Sequence, residues 1–372
     1  MAHSYTPGLR VTENAIIRRE RRLPLKGDVL VERGARVRAT DAVARTLIPG
    51  NVQTVNVANA LGCEPIDVPK SLARGVGDPL AKGDVIARRK GMFGLMESKV
   101  ASPATGVLES CSEITGQVIL REPPVPVEVD AYIDGVVAEV LPGEGVIVEA
   151  PAAFVQGIFG VGGETHGELA LAVSRADEEM TADKLTPALA GKIVIAGRYV
   201  SFDVLKKAVA LGVRAVVVGG FDDRDLREIM GYDLGVAITG HETIGLTLIL
   251  TEGFGHMPMA DRTFRLLSSH VGHPASVSGA TQIRAGVLRP EIVIPIPAGA
   301  GPGEGDRRSQ GLEIGSLIRG IREPFFGRIG TVVELPPELT PLETEAHVRV
   351  LAAEFDGKKS ILPRANVELI ES

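Results

Sequence analysis

Short apolar–polar alternations, each bounded by glycine, recur through the first 165 residues of this 372-residue chain. Gly34–Arg45 and Gly77–Arg88 repeat at a constant offset of 43 residues, with Gly, Val/Leu, Asp, Val/Ile, Ala and Arg in register. Gly106–Ile119 and Gly135–Val148 repeat at an offset of 29, each unit carrying a second glycine ten residues on, at Gly116 and Gly145. Alternation bounded by turn residues predicts strands, so each unit reads as a turn, a strand, a second turn and a strand. From about residue 186 the pattern changes to unbroken apolar runs separated by amphipathic stretches. Strands are predicted over 192–196, 215–218, 235–239 and 246–250. Helices are predicted from a Ser201 cap through Leu211, from Asp222 or Asp223 to Met230 after a Gly219-Gly220 turn, and over about 259–268. Such alternation predicts a mostly parallel sheet with helical crossovers. Residues 298–306 read as a Gly/Pro linker, and strand patterns resume beyond it.

The expected fold class is therefore multidomain β and α/β. A duplicated β-hairpin domain spans 1–175, an α/β domain 186–296, a linker 297–312 and a small β barrel 313–372. Forty-four glycines, 24 prolines and no tryptophan suit strands and turns better than a helical bundle. Cys63 and Cys111 have no metal-ligand spacing and form no disulfide framework. They are expected as small apolar side chains in a reducing compartment. No run of about 18 apolar residues and no signal-peptide pattern occurs, so a soluble, cytoplasmic protein is expected.

The net charge is −7, yet residues 1–50 hold ten Arg/Lys against five Asp/Glu, including Arg18, Arg19, Arg21 and Arg22. That run reads either as a solvated strand or as a contact for nucleic acid or an acidic partner.

The segment Gly94-Leu95-Met96-Glu97-Ser98-Lys99-Val100-Ala101-Ser102-Pro103-Ala104-Thr105-Gly106-Val107 resembles the hairpin of lipoyl and biotinyl carrier domains. With the repeats, it is similar to the barrel-sandwich hybrid fold that those carriers share with Rnf/Nqr-type subunits. Aligned on Pro103 and Gly106, the carrier lysine falls on Leu95, which has no amine to acylate. No lipoyl or biotin group is therefore expected. Lys99, the nearest amine, is expected on the returning strand.

The glycine-rich loop 156–167 lacks the Gly-Lys-Ser/Thr end of a phosphate loop and reads as a structural turn. In the α/β region, which is similar to swivelling or DRTGG-type domains up to about residue 231, Asp222, Asp223 and Asp225 read as helix capping or as cation ligands. His241, Glu242, Glu252 and His256 have the chemistry of a zinc or manganese site but match no established spacing. They form either such a pocket or a hydrogen-bonded loop cluster. No Gly-x-Ser-x-Gly elbow is present, and neither cysteine has a neighbouring base, so nucleophilic catalysis is unsupported.

Gly315–Glu334 and the closing Ile361–Ile370, with its Leu-Pro-Arg-Ala-Asn-Val-Glu, resemble a KOW motif in an SH3-like barrel. In that family the barrel contacts RNA, ribosomal protein or RNA polymerase. The resemblance assigns partner contacts to Arg319, Arg322, Phe325, Phe326 and Arg328, which combine charge with stackable rings. Residues 313–372 hold seven Arg/Lys and ten Asp/Glu, which disfavours phosphate backbones and favours a protein partner, with RNA or ribonucleoprotein as the other option.

Two readings of function stand together. One is a non-catalytic binding or scaffold protein whose KOW tail docks on a transcription- or translation-linked machine. The other is an enzyme or accessory subunit with a metal or small-ligand pocket in the α/β domain, attached to a redox or carrier-dependent complex. A homo-oligomer is compatible with either.

Overall fold

A computed structural model describes residues 9–90, 97–230, 244–281, 288–297 and 312–369, apart from 323, 326–327, 337–338 and 342–346. The protein is mostly β, with several sheets.

The repeats of the N-terminal half form two nested lobes. In the outer lobe, strand Ala42–Ile48 pairs antiparallel with Val125–Asp130, and Arg36–Val37 pairs with Gly135–Leu141. In the inner lobe, Val85–Lys90 pairs with Glu97–Ala101, and Pro79–Leu80 pairs with Gly106–Cys111. The two lobes match residue for residue. Gly135↔Val37 in one is Gly106↔Leu80 in the other. The bulge that sets Ala44↔Val129 after Ala42↔Asp130 recurs where Ala87↔Val100 follows Val85↔Ala101. The Gly34 amide donates to the Val137 carbonyl and the Gly77 amide to the Leu108 carbonyl, both at 2.8 Å. Even the first pairing, Val29↔Ala44, has its counterpart in the bridge Leu72↔Ala87.

One expected match shifts. Pairing Gly116 with Gly145 implies an offset of 29 throughout, but the ladder partners Val118↔Cys111 and Val146↔Val140 place the last strand of each unit at an offset of 28. The turn closing the outer lobe is one residue shorter than that of the inner lobe. The inner lobe leaves and re-enters the outer one at Ile48 and Val125, which are themselves ladder partners. It has its own core of Leu80, Ile86, Leu108, Val118 and Leu120, capped by α1 (Val57–Leu61) and α2 (Val68–Ser71). Cys63 and Cys111 pack half-buried at its margin.

The α/β region has the expected parallel pairings. Ile193–Ile195 lies between Glu164–Leu171 and Ala215–Phe221, and Ala215–Phe221 also pairs with Thr247–Phe254, all in parallel. Helices α3 (Phe202–Leu211), α4 (Asp223–Met230) and α5 (Asp261–Ser269) accompany this sheet. Glu164–Leu171 also pairs antiparallel with Pro274–Ser278, and the sheet runs on through Glu291–Pro295 to Gly145–Gln156 of the outer lobe. A single 13-stranded sheet thus crosses the expected boundary near 175–186.

The Ser201 hydroxyl accepts the Val204 amide, and Gly212 closes α3 in the left-handed region. Ser201→Ala is expected to cost about 1 kcal/mol, read as a lower urea midpoint with an unchanged slope.

The predicted Gly219-Gly220 turn is not a turn. The strand runs through both glycines to Phe221, because the 255–259 loop crosses them. A Cβ would lie 2.1 Å from the Met257 carbonyl oxygen at Gly219 and 2.0 Å from the Gly255 carbonyl oxygen at Gly220. The strand predicted over 246–250 likewise continues to Phe254, and α5 begins at Asp261 because Ala260 is still extended. The strand predicted over 235–239 lies outside the described residues.

The tail forms a six-stranded antiparallel sheet ordered Leu339–Pro341, His347–Phe355, Ile329–Glu334, Leu317–Gly320 and Val367–Leu369, with Lys358–Pro363 also on His347–Phe355. Its core gathers Ile318, Val332, Leu351, Phe355, Leu362 and Val367. The Asp356-Gly357 turn joins two of these strands with φ of 50° and 76°, the mirror-image geometry that suits twisted hairpins. No helix among the described residues is long and apolar enough to cross a membrane.

Candidate docking surface

The candidate residues of the tail separate by burial. Arg319 sits on the central strand Leu317–Gly320, directly opposite Glu368 in the ladder. It is 1% exposed, the largest fully buried side chain among the described residues. One guanidinium nitrogen donates to Glu368 Oε1 at 3.0 Å and another to Glu252 Oε2 at 2.5 Å. Glu252 belongs to strand Thr247–Phe254 of the α/β sheet, and its other oxygen accepts the Ala260 amide at 3.0 Å, at the start of α5. Glu368 Oε2 lies 2.5 Å from Arg289 Nη1, a close ion pair whose angles are poor for a hydrogen bond. Two arginines and two glutamates thus neutralise one another in a cluster joining tail and α/β sheet, with Arg319, Glu252 and Glu368 buried and Arg289 half-buried. Arg319 is consumed by this clamp, so it presents no surface to a partner.

Arg322 and Arg328 are exposed, and Arg328 reaches Asp356 at 3.3 Å. Phe325 is half-buried and stacks on Phe355 with ring centroids 4.6 Å apart and planes 19° from parallel. Phe326 lies outside the described residues. The turn therefore offers two cations beside a ring that already has an aromatic neighbour.

The four residues considered as metal ligands divide as well. His241 and Glu242 lie outside the described residues. Glu252 is committed to Arg319 and Ala260. The His256 ring, half exposed, places Nδ1 2.9 Å from Glu179 Oε1 and stacks on Tyr199 at 3.7 Å. Burial, then Asp225, Asp222 and Glu179, holds the Tyr199 hydroxyl above its ordinary pKa. Glu252 and His256 thus serve different partners, and among the described residues no group of three His, Cys, Asp or Glu side chains is arranged to hold a metal. At the head of α4, Asp222 accepts the Arg224 amide at 2.8 Å, as a capping residue does, and Asp223 forms an i,i+4 ion pair with Arg227 at 3.1 Å.

The basic run near the N-terminus is neutralised from within. Arg18 pairs with Glu149 at 2.7 Å, Arg21 with Glu164 at 2.8 Å, Arg19 with Glu291, and Arg22 with Glu20 and Glu144. Arg19 and Arg21 also lie over the rings of Phe154 and Tyr132. This strand is a salt-bridged member of the sheet, paired antiparallel along Gly145–Gln156. Leu95 lies outside the described residues, while Lys99 sits on the strand Glu97–Ala101, opposite Arg88.

The reading of residues singly missed Arg289 and Glu368. Glu368 is visible only as the cross-strand partner of Arg319, 49 residues away, and Arg289 joins the pair from outside any strand.

No protein-family model matches the chain, and no curated protein matches it.

Proposed function

We propose that the chain is a non-catalytic, multidomain binding or scaffold protein. Its tail, an SH3-like barrel of the KOW type, docks on a protein or ribonucleoprotein machine linked to transcription or translation. The nested lobes, of the barrel-sandwich hybrid type, carry no prosthetic group and act as a rigid body. One observation carries this reading. The motif spends its buried arginine, Arg319, on fixing the tail to the α/β sheet and leaves Arg322 and Arg328 outward on the adjoining turn. A docking module held rigidly by its neighbour loses less freedom on binding. The acidic balance of residues 313–372 favours a protein surface over a phosphate backbone as the immediate contact.

The test is affinity recovery of the full-length protein from its native cell, with and without ribonuclease, beside the variant Arg322→Glu/Arg328→Glu. Ribosomal or polymerase subunits recovered with the native protein are expected to fall about tenfold or more with the variant. Equal recovery by both proteins removes this turn as the contact. Charge reversal is a cleaner test than truncating the tail, because truncation uncovers Glu252 and perturbs the α/β sheet.

A further inference from the structure

The match between the two lobes exposes a position where their charges diverge. In the outer lobe the cross-strand pair Arg45↔Glu128 is complementary. Its counterpart in the inner lobe, at offsets of 43 and 29, is Arg88↔Lys99, two cations directly opposite one another. Like charges in facing positions destabilise a ladder. Side chains alternate between faces along a strand, so Lys90 shares the face of Arg88, and Glu97, opposite Lys90, shares it too. Arg88, Lys90 and Lys99 are all exposed. Lys99 reaches Glu97 at 3.1 Å, but among the described residues neither Arg88 nor Lys90 has an ion-pair partner. On the reverse face, Arg89 donates to the Gly62 carbonyl at 2.6 Å and anchors the pair of strands to α1's end. One face is tied down and the other carries three cations against the single carboxylate of Glu97.

We propose that the Arg88–Lys90–Lys99 face of the inner lobe is a docking surface for an extended acidic segment of a protein partner. Alternate residues of a strand stand roughly 6.8 Å apart, so Arg88 and Lys90 match carboxylates at alternate positions of an extended peptide. Lys99, across the ladder, reaches the same segment from the side. The surroundings favour carboxylates on a peptide over nucleic acid. Glu97 stands on this face, neither strand carries an aromatic ring for a base to stack on, and the chain's net charge is −7. This surface is separate from the tail turn and does not depend on it.

The outer lobe supplies the discriminating variant. Lys99→Glu sets a carboxylate opposite Arg88, in the charge order of Arg45↔Glu128, and gives up the 3.1 Å contact with Glu97. The two effects oppose one another, so little change in melting temperature is expected while a charge of the surface is reversed. The probe is a labelled peptide with glutamates at alternate positions, titrated by fluorescence anisotropy at low salt against the full-length protein. Comparison ligands are a single-stranded oligonucleotide and anionic phosphatidylserine vesicles. Saturable peptide binding that weakens with salt, falls about tenfold or more with Lys99→Glu, and is unchanged in Arg322→Glu/Arg328→Glu is the expected result. Absence of peptide binding, binding unaffected by Lys99→Glu, or tighter binding of the oligonucleotide or vesicles overturns it. Arg88→Gln removes one of the facing cations and keeps the Lys99–Glu97 contact, so it is expected to keep or raise the melting temperature while weakening peptide binding. A lowered melting temperature in that variant overturns the premise that the pair is electrostatically strained.

Discussion

Arg319→Ala is expected to lower the stability of the protein by about 3–5 kcal/mol, among the largest losses available to a single substitution. The guanidinium is 1% exposed and stands between Glu252 and Glu368, themselves 5% and 0% exposed. Alanine leaves two buried carboxylates with Arg289 as their remaining cation, 2.5 Å from Glu368 alone. Removing one member of a buried ion network strands the others in a medium that solvates them poorly, and this penalty exceeds the net worth of the intact pairs. The loss falls on the junction between tail and α/β sheet, so the tail is expected to unfold or detach first. Urea unfolding, followed with limited proteolysis between residues 298 and 311, reads both effects. Arg319→Lys keeps the charge but lacks the planar fork that meets two carboxylates together, so an intermediate loss is expected. An Arg319→Ala protein within about 0.5 kcal/mol of the native one would show that the clamp contributes nothing to stability.

Gly162→Ala is the second large expected effect, and Gly163→Ala is its control. Both glycines lie in the left-handed region, at φ of 101° and 74°. A Cβ on Gly162 would lie 2.1 Å from the Leu246 carbonyl oxygen, whereas one on Gly163 meets nothing within 4 Å. Gly162→Ala must therefore displace backbone at the start of strand Thr247–Phe254, in addition to straining φ. The Thr247 hydroxyl, which lies 3.2 Å from the Gly162 carbonyl, is drawn into the same shift. A cost on the order of 2–3 kcal/mol is expected at Gly162, against about 1 kcal/mol at Gly163. Equal urea midpoints for the two variants would refute the role given to this close approach.

The parts of the fold that were legible in the sequence are those written in local signals. Glycine spacing marked the turns of both lobes, and the recurring strands between them are the ones that pair. The Ser201 cap and the amphipathic stretch through Leu211 marked α3. What failed depended on partners distant in the chain. Gly219 and Gly220 carry the same local signature as a turn, and only the 255–259 loop lying on them makes them strand. The change from an offset of 29 to 28 is hidden because Gly116 and Gly145 keep the spacing while a turn loses one residue. The candidate site fared similarly. Arg319, beside a charged turn, reads as exposed until Glu368 and Glu252 arrive from remote strands. Arg322 and Arg328 lie at the surface, with nothing among the described residues covering them.

The nesting of one lobe inside the other also dictates an order of events on the ribosome. The inner lobe has all its ladder partners once residue 121 has emerged. The outer lobe must wait for Gly135–Leu141 and Gly145–Gln156, and strand Val11–Arg22, made first, has no partner until that last segment appears. Arg18, Arg19 and Arg21 therefore spend the synthesis of more than a hundred residues without the glutamates that later neutralise them. The oldest part of the nascent chain is among the last to find its place.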